Sequence, residues 1–555
     1  IFQQKTVPEI IESVFSGLGI HDFEFKGLRS GYVKRDFCVQ YRESDFEFVS
    51  RLMEEEGIFY YFRHAPDRHS LVMCDDISAY STIADCDVHF ADPDGKGHLG
   101  DQLTRWEHRL DFQSGRWTQT DYNPATPTAD LMAVEHSLVN LAGNAQLERF
   151  DYPGRHVEAS EGHARTRVRM QELEAAHDRV FGASTYPSFT PSGRFLVKTH
   201  RTPGEVGKRY VLTRVEYAAS LGDSYKADLG NEQTPFTNRF VAIPEDVVFR
   251  PERKTPQPIV EGPQTAIIVG PEGEEIYTNE NGEVKVQFHW DRYGKSNERS
   301  SCWIRVSQVH AGQGWGTMDL PRIGEEVIVD FLEGDPDRPM ITGRVYNAEA
   351  MPPFELPAGK TRRGNTTKTY RGQGSNEMSM DDTPGQEQIR VSAQYNMDTN
   401  VNNNQSTKVG VDRTTEIGNN DKLIVGNDAS ESVGNDKKTD VGNNLKIDVG
   451  KSLKVTAGSS ITLKCGASQI YMNQAGVITI TGTIITTAAA SNASVMAPMT
   501  QVVGGAMLTT SGGINLMKGS VCKVAAAGLA SMSGSKVDVV SKCETKIKGA
   551  KITLN

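Results

Sequence analysis

Side chains that commonly carry out catalysis lack the spacing that catalysis requires in this 555-residue chain. All 13 His lie at or before His310, and the seven Cys include no Cys-x-x-Cys pair. No Gly-x-Ser-x-Gly or His-Glu-x-x-His motif occurs, and the sequence has no complete Gly-x-x-x-x-Gly-Lys-Ser/Thr phosphate loop. The sequence therefore predicts no enzyme, no cofactor and no bound metal.

Glycine forms the most regular pattern in the chain, an unbroken spacing of eight residues. Val or Ile precedes the first six of these glycines, and Asn or Asp fills most of the positions that follow the middle ones. A fixed period of this kind indicates stacked β-structure in which each unit buries its apolar side only against other units. We expect a structural role for Gly410, Gly418, Gly426, Gly434, Gly442, Gly450, Gly458 and Gly466.

Each octad predicts one short strand and one corner. Gly adopts backbone angles closed to other residues, and Asn and Asp tolerate left-handed geometry. Columns of Val and Ile then face inward, while Lys, Asp and Glu mostly face outward. Two inward aliphatic side chains do not offset the entropy of ordering eight residues, so burial between chains is required. Three intertwined chains meet this requirement, and a single-chain coil with three octads per turn is the alternative.

The region from residue 465 to 517 contains no Asp, Glu, Lys, Arg or His. Its many Thr, Ser, Asn and Gly exclude a membrane-spanning helix, which needs about 20 mostly apolar residues. Strand signals continue over residues 477–481 and 484–487. Cys465, Cys522 and Cys543 could meet on a threefold axis, but buried thiols are favoured over a metal site. Such an uncharged, Thr-rich surface suits a stiff shaft.

The first half of the chain predicts an α+β region with three helices. The first runs from Pro8 to Gly17, and the second begins at a capping box formed by Ser44 and Glu47 and ends at Gly57. Strand 58–63 follows it, and a third helix is expected from residue 160 to about 180. On that third helix we expect a solvated face that includes Arg165, Arg167 and Arg169.

Five strand patterns within about 85 residues predict an OB-type barrel. In the second, Val284, Val286, Phe288 and Trp290 alternate with polar residues. The acidic loop 333–337 and the lack of a basic stripe favour a structural adaptor over an oligonucleotide site. His289 and His310 are expected to be polar barrel residues. The strand patterns cover residues 264–269, 283–290, 302–308, 326–331 and 340–346.

Seven motifs distributed over the chain resemble those of the VgrG (valine-glycine repeat) family. Members of this family are the spikes of bacterial type VI secretion systems, and they are similar to the hub and tail spike of contractile phages joined in one chain. The resemblance covers essentially the whole sequence. Its motifs are CVQYRESDF at 38–46, FDYPG at 150–154, GPQTA at 262–266, FHWDR at 288–292, SCWIRV at 301–306, PRIGEEV at 321–327 and GDPDRP at 334–339.

The resemblance implies a mainly β homotrimer with an α+β N-terminal region. It places a phage-hub-like base at residues 1–250, an OB-fold barrel at 251–350, a linker or collar at 351–383 and a triple-stranded β-helical needle at 384–555. Family members usually carry a further segment before the equivalent of Ile1, so we expect part of the base to be missing. The linker leaves no room for the lysozyme that phage spikes insert there.

The resemblance also implies partners. The base would dock on the Hcp tube, effector toxins would be carried with or without an adaptor chaperone, and the needle would contact the target membrane transiently. The spike would assemble in the bacterial cytoplasm before secretion or injection. A PAAR-repeat tip protein would bind at the C-terminal end of the needle, which comprises Lys551, Ile552, Thr553, Leu554 and Asn555.

The composition of the chain limits which partners and functions remain possible. The net charge of −11 and the pI near 5.7 argue against nucleic acid as the main partner. An odd number of Cys is most simply explained by thiols kept reduced in the cytoplasm. Trimeric β-helices also serve as polysaccharide depolymerases with paired carboxylates, and this is the alternative function. The absence of Asp and Glu from residues 465–517 argues against it.

Overall fold

The computed structural model of the chain describes residues 1–91, 100–219, 236–489 and 491. It contains two compact units, Ile1–Thr407 and Lys408–Asn555. The predicted tip at residues 551–555 lies outside the described residues, as do Cys522 and Cys543. Within the described residues, no helix is long and apolar enough to span a membrane.

Two capped helices begin the first unit, as the sequence predicts. Helix α1 (Val7–Gly17) starts at a capping box of Thr6 and Glu9, and helix α2 (Asp45–Glu56) starts at the predicted box of Ser44 and Glu47. Gly57 ends α2 in the left-handed conformation, with φ of 72°. Because their apolar residues recur at helical spacing, the two helices share a core that includes Ile10, Ile11, Val14, Phe48, Val49 and Leu52.

A small sheet packs beside these helices. Its strands are β1 (Phe23–Phe25), β2 (Phe59–His64) and β3 (His69–Cys74), and β3 lies between the other two. Strand β2 begins two residues after Gly57, one residue later than predicted. The β2–β3 hairpin is antiparallel, and β1 pairs with β3 in parallel.

Two further sheets complete the base. A six-stranded sheet has the order β4-β10-β11-β12-β9-β5, and a three-stranded sheet has the order β7-β6-β8. Aromatic side chains dominate the core of the larger sheet, where the rings of Phe189, Phe195, Tyr210 and Phe240 contact one another. The strands are β4 (Ser81–His89), β5 (Leu103–Leu110), β6 (Arg116–Gln119), β7 (Ala133–His136), β8 (Glu148–Asp151), β9 (Asp178–Ser184), β10 (Gly193–Thr199), β11 (Arg209–Ala219) and β12 (Phe236–Pro244).

Helix α3 (Ala159–His177) ends three residues before the predicted boundary because the chain passes directly into β9. The prediction that its three arginines form a solvated face is wrong for two of them. Arg167 is exposed, whereas Arg169 is 4% exposed and Arg165 is mostly buried. Both buried guanidinium groups bind acceptors that lie far away in the sequence, which helical spacing alone does not reveal.

The OB region forms four of its five predicted strands. The sheet order is β14-β13-β17-β18, with the strands β13 (Gln264–Val269), β14 (Lys285–Phe288), β17 (Glu326–Phe331) and β18 (Pro339–Val345). The predicted strand at 302–308 makes only the isolated bridges Val284–Ile304 and Val306–Ile341. Between β14 and β17 lies a short hairpin of β15 (Ala311–Gly312) and β16 (Trp315–Gly316).

The predicted alternation in β14 holds as far as Phe288. Val284, Val286 and Phe288 are buried, whereas Trp290 lies beyond the strand and is partly exposed. Its indole N–H donates to the Gln264 side chain at 2.8 Å. His289 and His310 have polar or aromatic neighbours. His289 Nε2 lies 3.0 Å from Thr265 Oγ1, and the centroid of the His310 ring lies 4.5 Å from that of Trp315, with the two rings tilted by 43°.

The segment expected to be a linker contains regular structure. A three-stranded antiparallel sheet of order β19-β20-β21 begins within it, formed by β19 (Arg362–Thr366), β20 (Glu377–Asp381) and β21 (Gln388–Ser392). The sequence did not predict these strands, because each is only five residues long and the Gly and Pro residues of the segment indicate turns. The limits of the four predicted domains remain predictions.

The second unit contains one small sheet in its described part. Strands β22 (Ser460–Cys465), β23 (Ser468–Asn473) and β24 (Ile478–Thr481) form an antiparallel meander. Strand β24 matches the strand signal at 477–481, whereas residues 484–487 form no strand within the single chain. Cys465 is exposed in the single chain.

Candidate functional site

The octads expose a periodic apolar column. The six Val and Ile side chains that precede Gly410 to Gly450 all have between 46% and 48% of their surface exposed. Such constant exposure means that each octad repeats the same local geometry. Isolated exposed aliphatics are ordinary, but a continuous column of them indicates a surface that another chain covers. The column consists of Val409, Ile417, Val425, Val433, Val441 and Val449.

The backbone of the octads has no partner within its own chain. Residues 401–459, all of which are described, contain no strand and form no backbone hydrogen bond with one another or with other described residues. A single-chain coil would require such bonds between successive turns, so this alternative is wrong. Backbone N–H and C=O groups in folded proteins are nearly always paired, and here only other chains can supply a regular set of partners.

The repeat glycines serve a different geometric purpose from the one expected. None of the seven from Gly410 to Gly458 has a left-handed φ, and only Gly466 does, with φ of 54°. In the single chain, a Cβ atom at any of the eight positions would meet nothing within 4 Å. Backbone conformation therefore does not require Gly at the first seven. The remaining physical reason is close approach of neighbouring chains, which is still a prediction.

A second feature is a cluster of buried charges, here called the junction, where the base meets the barrel. Phe37 and Val39, which lie between α1 and α2, pack in the core of the barrel. Around them, Arg35 binds Glu55 at 2.6 Å and Arg51 binds Glu43 at 2.7 Å. Buried charges persist only when they are paired in this way.

Arg155 joins three segments at the junction. Its guanidinium lies 2.8 Å from the Asp335 carboxylate of the barrel and 3.4 Å from the Glu55 carboxylate of α2. Its backbone N–H donates to Asp121 Oδ2 at 2.6 Å. The φ of Arg155 is 56°, which is unfavourable for a residue with a Cβ atom and is sustained here by these contacts. Arg338 of the barrel adds a fourth contact, to Asp121 at 3.1 Å.

The junction perturbs the ionisation of its carboxyl groups in opposite directions. Burial opposes ionisation of Glu55, but Arg35, Arg155 and Arg51 outweigh it and hold the pKa of Glu55 well below its ordinary value. Burial and the neighbouring Asp335 carboxylate raise the pKa of Asp337 to about 7. Asp337 Oδ1 accepts a hydrogen bond from the backbone N–H of Val39 at 2.7 Å. The base and the barrel are thus connected through a titratable contact.

The described residues offer neither a metal site nor a reactive thiol among the cysteines whose pKa is shifted. No group of three or more His, Cys, Asp or Glu that could hold a metal ion occurs among the described residues. Burial raises the pKa of Cys38 and of Cys74 to about 12, so both thiols are protonated at neutral pH. Protonated, buried thiols are poor nucleophiles and poor metal ligands.

Three family models match the chain in succession. Residues 1–223 match the phage tail baseplate hub (GPD) model, and residues 276–346 match the type VI secretion system/phage-baseplate injector OB domain. Residues 363–472 match the bacteriophage T4 gp5 C-terminal trimerisation domain. A hub, an injector barrel and a trimerisation domain in one chain define a spike of the contractile-tail class.

Curated relatives narrow this class. Over 407 residues, the chain is 42% identical to the spike protein VgrG1b and 41% identical to VgrG1a of Pseudomonas aeruginosa. Each alignment covers 73% of this chain, and they cover 54% and 63% of the two relatives. The chain belongs to the VgrG family of type VI secretion spike proteins. Its matched part spans less than two thirds of the length of these relatives.

Other comparisons are more distant. VgrG1 of Vibrio cholerae, named an actin cross-linking toxin, is 37% identical over 408 residues, which is 73% of this chain and 36% of the relative. A solved Escherichia coli type VI secretion component, described as similar to the T4 tail proteins gp27 and gp5, aligns at 19% identity with a TM-score of 0.41. That alignment covers 62% of this chain and 73% of the E. coli chain.

The first prediction concerns Arg155. Arg155→Ala should lower the free energy of unfolding of the base and barrel by about 3 kcal/mol, because it leaves two buried carboxylates without this partner. Arg167→Ala is the matched control, since the Arg167 side chain is 63% exposed and, among the described residues, forms an ion pair only with Glu135. The control substitution should lower the free energy of unfolding by less than about 1 kcal/mol. Urea denaturation measures both, and equal effects would contradict the proposed importance of the junction.

The second prediction concerns pH. The pKa of Asp337 is raised on folding, so its contribution to stability is fully present below its unfolded pKa and is lost as the pH rises towards about 7. Asp337→Asn keeps the acceptor for the Val39 N–H and removes the buried charge. The variant should therefore melt at a higher temperature than the wild type at pH 8, with a smaller difference at pH 5. An unchanged difference across this range would show that Asp337 does not titrate there.

The third prediction concerns the repeat glycines. If neighbouring chains approach closely at Gly434, Gly434→Ala should lower the thermal midpoint of the shaft, because its Cβ would enter space that another chain occupies. Ser432→Ala, in the same octad, should leave the midpoint unchanged. Circular dichroism of the full chain follows both transitions. A shaft that tolerates Ala at Gly434 would contradict close approach as the reason for glycine.

Proposed function

We propose that this chain is the trimeric spike of a contractile type VI secretion machine. Its shaft forms a triple-stranded needle that punctures the envelope of a target cell and delivers effectors. The base docks on the Hcp tube, and a PAAR-repeat protein covers the tip at residues 551–555. Assembly takes place in the bacterial cytoplasm before secretion or injection.

One observation carries this proposal: the octads present a periodic apolar column and an unpaired backbone to other chains. Three chains that pair through these groups distribute hydrogen bonds along the whole shaft. A shaft held in this way resists bending, because each octad is fixed by two neighbouring chains. Resistance to bending is the property that a needle driven by contraction requires.

The junction, which lies within the first unit, supports the same function. Force applied to the base must reach the barrel through the contacts between them. The shared core around Phe37 and Val39 and the paired contacts of Arg155 provide a rigid connection. We infer that this connection transmits the thrust to the barrel.

We propose that the chain itself has no catalytic domain, whereas its V. cholerae relative is named as a toxin. The polysaccharide depolymerase alternative is not favoured, because the matched relatives are named as spike proteins. Effector cargo and any adaptor chaperone are proposed as partners of the assembled spike. Nucleic acid is not proposed as a partner, because the net charge of the chain is −11.

A secretion experiment tests the proposal. In bacteria that depend on this chain for type VI secretion, the triple variant Val425→Asp, Val433→Asp and Val441→Asp should abolish release of the chain and killing of competitor cells. Three charges in the apolar column cannot be buried between chains. The matched control places the same three charges at corner positions and should secrete normally. It carries Asn427→Asp, Asn435→Asp and Asn443→Asp.

Normal secretion and killing by the Val variant would overturn the proposal. Loss of both in the corner variant as well would show that added charge, and not the apolar column, is responsible. Degradation of a bacterial polysaccharide by the purified wild-type chain would favour the depolymerase alternative instead.

A further inference from the structure

An apolar groove with a volume of about 750 Å³ lies between the hairpin β2–β3 and the two helices of the base. We call it the edge groove. The segment that follows α1 contributes Leu18 and Ile20, and the first turn of α2 contributes Phe46, which is 70% exposed. Tyr60 and Phe62 of β2 form the opposite wall, with their rings in edge contact. None of these side chains belongs to the shaft or to the junction.

Strand β2 is the edge strand of its sheet, and its hydrogen-bonding register can be determined from the turn. Ala65 and Arg68 exchange both of their backbone hydrogen bonds, at 2.7 and 3.4 Å. In an antiparallel hairpin the hydrogen-bonded pairs alternate, so Phe62–Leu71 and Tyr60–Met73 are non-bonded pairs. Their backbone groups therefore point away from each other across the hairpin.

The third strand confirms this register. The Leu71 N–H donates to Asp22 O and the Met73 carbonyl accepts from Lys26 N, so both residues direct their backbone towards β1. The corresponding groups of Tyr60 and Phe62 consequently point outward at the free edge of β2. In this register these groups are not bonded to β3, and outside the sheets they form no backbone hydrogen bond with any described residue. An open edge and an apolar groove therefore meet at the same two residues.

The other face of β2 holds the strand rigidly. Phe59 and Tyr61 are buried in a core with Tyr80, Val211 and Ile243. Because successive side chains of a strand alternate between faces, Tyr60 and Phe62 are directed into the groove by the same packing. The hairpin is thus a fixed template for an added strand.

We propose that the edge groove binds an extended peptide segment of a partner protein by β-strand addition. The partner's backbone would pair with Tyr60 and Phe62, and its alternate side chains would be apolar and would fill the groove beside Phe46. The charges that line the groove predict which residues flank this segment in the partner. Asp22 and Asp45 line the groove and form no ion pair among the described residues, so lysine or arginine flanks are complementary.

A second copy of the same strand is a poorer occupant. Edge-to-edge pairing of β2 with β2 is an isologous, twofold contact, whereas a trimer is built around a threefold axis. Pairing of β2 with β2 would therefore not be a contact of the trimer. The proposal rests on the geometry of the hairpin and does not depend on the function of the shaft.

Fluorescence anisotropy with the full chain tests the proposal. The probe is a short labelled peptide of alternating valine and threonine with a lysine at each end. It should bind the wild type, and Phe46→Ala should weaken binding about tenfold, because an anchor in a β-addition groove supplies much of the affinity. Phe112→Ala, which removes another exposed phenyl ring, is the matched control and should leave binding unchanged.

Two altered peptides separate the parts of the interaction. A peptide with N-methylated backbone amides keeps its apolar side chains but should not bind, because it cannot pair with the edge. A peptide with glutamate in place of lysine should bind more weakly, and more so at low salt.

Three results would overturn the proposal. They are absence of wild-type binding, undiminished binding of the N-methylated peptide, and equal effects of Phe46→Ala and Phe112→Ala. Sedimentation of Phe46→Ala provides a further readout that does not depend on the peptide. A smaller oligomer would show that a second copy occupies the groove, which also contradicts a partner peptide.

Discussion

Backbone hydrogen bonding between chains is the constraint on which the shaft depends. Residues 401–459 neither pair with one another nor bury their aliphatic column within one chain. In an isolated chain of this kind, neither hydrogen bonds nor apolar burial offset the conformational entropy that is lost when the shaft becomes ordered. Association supplies hydrogen bonds and apolar burial together, so folding of the shaft and formation of the trimer are one process.

The base follows a different principle, because its described cores are formed by contacts within one chain. Capped helices, a large aromatic core and a barrel are completed by contacts that are distant in sequence but lie within the chain. Charged groups occupy the place where base and barrel meet. Arg155, in a strained conformation, links three segments there, and the carboxyl pair of Asp335 and Asp337 makes the contact sensitive to pH.

Local signals in the sequence were sufficient for some elements and not for others. Ser44, Glu47 and Gly57 define the limits of α2 because caps act within a single turn. The burial of Arg165 and Arg169 could not be predicted in this way, since their acceptors lie on other elements. The strands within residues 351–383 were missed because Gly and Pro obscured them. The octads predicted association correctly, although the glycines do not adopt the backbone angles that were expected.

The molar mass of the full chain in solution tests the central claim most directly. Sedimentation equilibrium at low micromolar concentration should give three times the 61.0 kDa mass of one chain. This mass should fall only under conditions that also unfold the shaft. A stable, folded species with the mass of a single chain would contradict an intertwined needle.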